Sequence, residues 1–211
     1  YPGGHFYQGH WMAGVPHGQG KCKSYRKSAT AAPDDWTGVE ATWRYGNATG
    51  QGVVTMSCGT VYTGEIDQGL PHGEGTSVDA VSEYTGSFRR GVRRGTGSVR
   101  FFKTGASVSG DCWKDDTLTH GVIAITDKGL VYEGMVQRYH NNYRPHGLGT
   151  LWQWFGRWEG AFEDGYATGM GYLTPGRPFN TDDLTENAFF ASTKVRMEFG
   201  RPVNGWYPIL I

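Results

Sequence analysis

Four histidines, His17, His72, His120 and His146, each stand directly before a glycine. Imidazole is the side chain best suited to hold a metal or move a proton near neutral pH. Zinc ligands, however, must converge to about 2 Å from one ion. These histidines fall one to a copy in a recurring frame, so on successive strands they would stand roughly 10 Å or more apart. Turn and packing roles are expected for them, and no metal. The glycine-rich run Gly18-Gln19-Gly20-Lys21-Cys22 is the nearest approach to a phosphate loop. It fails because position 15 is Val and no Ser or Thr follows Lys21. No Gly-x-Ser-x-Gly elbow is present, and Asn47-Ala48-Thr49 reads as a turn rather than a glycosylation acceptor. The residues therefore predict no catalytic group, no cofactor and no small-molecule substrate.

Binding chemistry is better represented. Arg89, Arg90, Arg93 and Arg94 bracket one turn, with Arg100 and Lys103 following. Such a patch suits anionic lipid headgroups or an acidic protein tail. It is equally a solvated turn whose arginines pair with nearby carboxylates. The chain closes on Trp206-Tyr207-Pro208-Ile209-Leu210-Ile211, which makes Trp206, Tyr207, Ile209 and Ile211 candidates for partner contact. Trp11, Trp43, Trp113, Trp152 and Trp154 would form an apolar groove if one sheet face were open, or be covered if the sheet twists over its own aromatics.

The elements that place these residues are repetitive. Tyr62-Thr63-Gly64-Glu65-Ile66 continues through Gly69, His72 and Gly73 to Gly75. The same frame opens at Tyr7, Tyr84 and Trp158, and looser copies open at Trp36, Val108 and Tyr132. In the Trp36 copy the sequel arrives three residues late. In the Val108 copy Cys112 takes the second aromatic position, His120-Gly121 comes two residues late and Ile123 replaces the last glycine. In the Tyr132 copy the insert Arg138 to Tyr143 delays the sequel by four. Openers at 7, 36, 62, 84, 108, 132 and 158 are 29, 26, 22, 24, 24 and 26 residues apart. A near-constant period of this size signals an array of stacked units.

Alternation puts Tyr62, Gly64 and Ile66 on one side of a strand and Thr63 and Glu65 on the other. A glycine between large side chains implies close approach by an aromatic. The later glycines supply turns. Second strands such as Val53 to Met56 and Gly97 to Phe102 follow, so each repeat is a β-hairpin.

Composition agrees with an ordered array. The 211 residues include 34 Gly, 14% aromatics and 19% charged residues. That aromatic content excludes disorder. The formal net charge of zero excludes a global field toward nucleic acid. Three cysteines, Cys22, Cys58 and Cys112, without CxxC spacing favour free thiols in a reducing compartment. No apolar run is long enough to cross a bilayer.

The unit Tyr-x-Gly-x-Trp/Phe-x-x-Gly-x-x-His-Gly-x-Gly, as it stands at Tyr7 to Gly20 and Tyr62 to Gly75, closely resembles the MORN repeat. The resemblance implies an all-β fold: an elongated twisted antiparallel ribbon of about seven hairpin repeats over 1–179, with a C-terminal cap or docking tail over 180–211. Thr181-Asp182-Asp183 looks like a helix start, and Val195 to Phe199 alternates like a strand. The resemblance further implies a non-catalytic intracellular scaffold in a large cytoskeletal or ciliary assembly, whose partners are other subunits or a second copy. The alternatives are a membrane adaptor that binds anionic phospholipid through the arginine cluster, and the regulatory arm of an enzyme.

Overall fold

The computed structural model describes residues 5–24, 36–114, 117–125, 128–140, 142–153, 156–175, 193–198 and 201–202. Strands come in hairpin pairs: β1 His5–Met12 with β2 Val15–Ser24, β3 Trp36–Arg44 with β4 Asn47–Met56, β5 Val61–Asp67 with β6 Leu70–Val78, and β7 Ser82–Arg89 with β8 Val92–Phe101. They continue as β9 Ser107–Trp113, β10 His120–Ile125, β11 Leu130–Tyr139, β12 Asn142–Gln153, β13 Gly156–Glu163, β14 Tyr166–Pro175, β15 Thr193–Glu198 and β16 Arg201–Pro202. There is no α-helix among the described residues. The chain divides into two compact units, Tyr1–Val99 with Trp113–Asp116, and Arg100–Cys112 with Thr117–Ile211. In each, hydrogen-bonded neighbours follow chain order, β1 to β8 in the first and β9 to β16 in the second.

Turn chemistry sets each hairpin. Ala13-Gly14, Tyr45-Gly46, Gln68-Gly69, Arg90-Gly91 and Asp164-Gly165 all take positive φ, near 50° and then 78–91°. That is a two-residue turn whose twist matches the strands, and glycine removes the steric cost at its second position. The same glycines space the hairpins. Gly46, Gly69 and Gly91 donate their N–H groups to the carbonyls of Pro16, Ala48 and Pro71 at 2.9, 3.0 and 2.9 Å in the first unit. Gly165 donates to Pro145 at 3.0 Å in the second.

Packing explains the paired glycines. Gly64 faces Gly75 across β5 and β6, and the register then slips so that Ile66 faces Pro71. A Cβ at Gly75 would overlap the Tyr62 ring, and one at Gly64 would lie 2.6 Å from the Tyr62 hydroxyl. The tyrosine therefore lies flat over both glycines, and its hydroxyl donates to the Glu65 carbonyl at 2.6 Å. Tyr7, Tyr84 and Tyr132 repeat this bond to the carbonyls of His10, Ser87 and Met135. Buried rings meet edge to face, as in Tyr62 with Phe88 at 4.9 Å, Tyr84 with Phe88 at 5.1 Å, and Tyr132 with Phe162 at 4.9 Å.

Register corrects the looser copies. In β3 and β4 the pairs Val39↔Val54, Ala41↔Gly52 and Trp43↔Ala48 match Tyr62↔Ser77, Gly64↔Gly75 and Ile66↔Pro71. The second repeat thus opens at Val39, not Trp36, and its glycines arrive on time. In the fifth, Gly121 pairs with Gly134 and Ile123 with Tyr132, so Gly121 is the last glycine of the frame. Val108 is too short to cover this glycine pair. Leu118, fully buried, lies over Gly110 and Gly121 in place of the ring. Cys112 is exposed although it takes the second aromatic position of the frame by spacing. One extra residue precedes the inward position, which Trp113 fills instead at 2% exposure. The Arg138 to Tyr143 insert lengthens a hairpin by added rungs, Gln137↔Arg144, Arg138↔Tyr143 and Tyr139↔Asn142.

Candidate interaction surfaces

The inward face covers its own aromatics. Trp43 and Trp113 are buried, and their indole N–H groups donate to the carbonyls of Gly20 at 2.9 Å and Gly97 at 3.0 Å. Trp11 is exposed and Trp152 half-buried, while Trp154 lies outside the described residues. The five tryptophans do not make one open groove, because the frame sends Trp43 and Trp113 inward. Burial pushes the Tyr62 hydroxyl up to about 12, against a smaller lowering by its bond to the His72 carbonyl. Burial raises Tyr132 in the same way.

His17, His72 and His146 each precede a glycine with φ of 67°, 56° or 68°, at the bulge where the register slips. His120 differs. Gly121 takes the other glycine position, so His120 stands on the outer face and lines a cleft there. No group of three or more His, Cys, Asp or Glu could hold a metal among the described residues.

The arginines divide. Arg93 sits 4.6 Å from the Tyr84 ring centroid and 5.8 Å from that of Trp113, a packing role. Arg89, Arg90 and Arg94 are exposed and make no ion pair among the described residues. Arg100 stacks on Phe102 at 5.9 Å within the second unit. Trp206, Tyr207, Ile209 and Ile211 lie outside the described residues, as does the helix start at Thr181. Cys112 donates to the Asp111 carboxylate at 3.0 Å. This bond raises the thiol's pKa and lowers that of the acid.

The outer faces of the two units differ in kind, a contrast that the sequence reading missed. In the first unit the outer face is laced by polar pairs, with Phe6, Val61 and Val78 exposed among them. Lys21 meets Glu40 at 2.6 Å, Gln19 donates to Thr42 at 2.9 Å, and Ser87 donates to Glu74 at 2.5 Å. In the second unit the outer side chains include Met135, Leu148, Met170 and Tyr172, exposed by 47%, 68%, 54% and 50%. Leu148 faces Ala161 across β12 and β13, and Tyr172 faces Glu159 across β13 and β14. Met135 lies against Gly147, where an added Cβ would come 2.7 Å from its sulfur. A cleft of about 470 Å³ opens here, lined by His120, Glu133, Leu148, Glu159, Met170 and Tyr172. The available signal was the residue between the paired glycines of Gly-x-Gly. It reads Gln19, Gln51, Glu74 and Thr96, then turns to Leu148 and Met170.

Hairpins stacked in one register, with tyrosines lying over facing glycines, define an all-β repeat protein. Three of its segments, residues 7–26, 62–80 and 84–102, match the MORN repeat. The repeat is a non-catalytic module of protein and membrane interaction. The chain is similar to Alsin of Rattus norvegicus, Mus musculus and Homo sapiens, at 27% identity over 156 residues. The match covers 61% of this chain and 9% of the length of each relative.

Proposed function

We propose that this chain is a scaffold segment that docks other protein subunits within a larger assembly, the cytoskeletal or ciliary setting being the one the repeat family suggests. The observation that carries the reading is the uncovered apolar face of the second unit. Among the described residues no second layer lies over the sheet face bearing Met135, Leu148, Met170 and Tyr172, and such a face ordinarily buries against one. The test is affinity purification of the full-length protein beside its Leu148→Glu/Met170→Glu form. Subunits that accompany the first and are lost from the second support the reading. A full-length protein that purifies alone and monomeric refutes it.

A second reading is favoured by Arg89, Arg90 and Arg94, three exposed cations at one hairpin end without carboxylate partners among the described residues. As a membrane adaptor the chain would hold anionic headgroups there. Co-sedimentation with phosphatidylserine vesicles, abolished by changing these three to Glu, supports it. No vesicle binding by the unaltered protein sinks it.

A further inference from the structure

We propose that the outer face of the second unit takes a basic amphipathic helix, seated with its apolar side on Met135, Leu148, Met170 and Tyr172 and its cations beside Glu133 and Glu159. This rests on the interaction-module reading and gives the partner its chemistry.

The helix follows from backbone accounting. Strands β9 to β16 are already hydrogen-bonded to their neighbours, so the face offers side chains and almost no free main-chain groups. A strand would need an edge. An occupant of the face must bring a backbone that is satisfied internally, which a helix does. The cleft suits such a ridge. Two methionines with long unbranched side chains adapt to differing apolar anchors, and Leu148 and Tyr172 give it firmer walls.

The positive charge follows from the lining. Glu133 and Glu159 both stand exposed on the cleft. Glu133 makes no ion pair among the described residues. Among the nearby cations with described side chains, Arg157 meets Glu159 at 3.5 Å and Arg196 meets Glu198 at 3.3 Å, while Lys194 faces Tyr172 in the register of β14 and β15. A carboxylate beside an apolar anchor site favours Lys or Arg on the partner and repels acid. The same argument weighs against the chain's own 176–192 segment as occupant. That segment joins β14 to β15 but carries Asp182, Asp183 and Glu186 against Arg177 alone. A second copy would bring its own Glu133 and Glu159 to face the first pair.

The probe is a fluorescein-labelled Leu/Lys amphipathic peptide of about 18 residues, five helical turns, with its Leu/Glu counterpart. Both are titrated by anisotropy against the whole chain at about 0.15 M salt. The expected result is binding of the Leu/Lys peptide alone. Leu148→Glu and Met170→Glu should each weaken it by roughly tenfold or more, and Thr85→Glu on the first unit should leave it unchanged. Glu133→Lys with Glu159→Lys should reverse the preference to the Leu/Glu peptide. All these positions are solvent-facing, and circular dichroism confirms that each variant keeps its fold. The inference is overturned if the Leu/Glu peptide binds as well, or if Leu148→Glu binds like the unaltered chain. It is also overturned if the chain forms a dimer that Leu148→Glu dissolves, which makes a second copy the occupant, or if binding appears only after deletion of 176–192, which makes that segment the occupant. Subunits that still accompany the Leu148→Glu/Met170→Glu form end this inference and leave the scaffold. A chain that purifies alone yet binds the Leu/Lys peptide does the reverse.

Discussion

Gly75→Ala adds a single methyl group to a β-strand, a change that is often harmless, and here it should destabilise strongly for a nameable reason. Backbone strain is not that reason, because Gly75 is absent from the positive-φ glycines. The new Cβ would instead overlap Cε2 and the hydroxyl of Tyr62 and lie 2.5 Å from Cζ, and no backbone atom is among these contacts. The ring has little room to leave, being 1% exposed and packed edge to face on Phe88. Overpacking of a filled site costs about 1 to 3 kcal/mol. Displacing the hydroxyl from the Glu65 carbonyl adds about 1 kcal/mol. The stiffer unfolded chain returns about 0.5 kcal/mol, so the net loss is about 1.5 to 3.5 kcal/mol. If the ring is the whole cause, the cost should vanish in a Tyr62→Val background. The second hairpin shows such a trade at the facing position, with Val39 as opener and Ala41 where the third has Gly64, while Gly52 keeps the place of Gly75. A double-mutant cycle should then show about 2 kcal/mol of coupling. Urea unfolding supplies the energies. Amide exchange at β5 and β6 localises the effect, since repeat arrays do not always unfold as one unit. A Gly75→Ala change within about 0.5 kcal/mol of neutral, or an equal cost in both backgrounds, would refute the reasoning.

Other consequences can be measured on the same protein. Leu118→Ala should cost about 2 to 4 kcal/mol and accelerate amide exchange in β9 and β10, because the fully buried Leu118 is the side chain lying against Gly110 and Gly121. Arg93→Ala should lower the urea midpoint by the equivalent of about 1 kcal/mol through loss of its seat on Tyr84, while Arg90→Ala should stay within about 0.5 kcal/mol. Iodoacetamide should label exposed Cys58 and Cys112 in the native protein and the buried Cys22 only on unfolding, and Asp111→Asn should speed labelling of Cys112 near pH 8 by removing the negative charge that disfavours its thiolate. The Tyr62 hydroxyl keeps its proton to about pH 12 in the folded state, whereas the unfolded chain releases it near pH 10. Stability from this group is therefore full below about pH 10 and declines toward pH 12, and Tyr62→Phe should remove that part of the slope in alkaline unfolding.

Much of the fold was legible because its rule is local. A Tyr-x-Gly strand, a positive-φ pair and a glycine bulge are each written in a few adjacent residues, and the hairpins follow from them. What failed was framing where the marker residue was missing. Trp36-Thr37-Gly38 has the letters of an opener, yet cross-strand register places Val39, Ala41 and Trp43 at the inward positions. Letters alone cannot tell an aromatic that covers a glycine pair from one that stacks elsewhere, as Trp36 does on His5 at 5.4 Å. The fifth repeat misled in the same way. Leu118 substitutes for a tyrosine from a different place in the chain, and only the fold brings it over the glycines. The arginine cluster was visible as charge, but its separation into a stacked Arg93 and exposed neighbours depended on which residue faces Tyr84.

The frame constrains only one side of each hairpin, and this asymmetry locates specificity. Inward positions must be an aromatic, a glycine or a residue that fills the same volume, since a methyl group too many displaces a buried ring. Outward positions carry no such demand and may be polar or apolar without cost to the stacking. In the first unit they are spent on pairs such as Gln19 with Thr42 and Ser87 with Glu74, which hold a face comfortable in water. In the second the equivalent positions hold Met135, Leu148 and Met170, which is unfavourable in water unless something covers them. Two units built by one packing rule therefore present different chemistry. The residues that fit the repeat least tightly are the ones able to choose a partner.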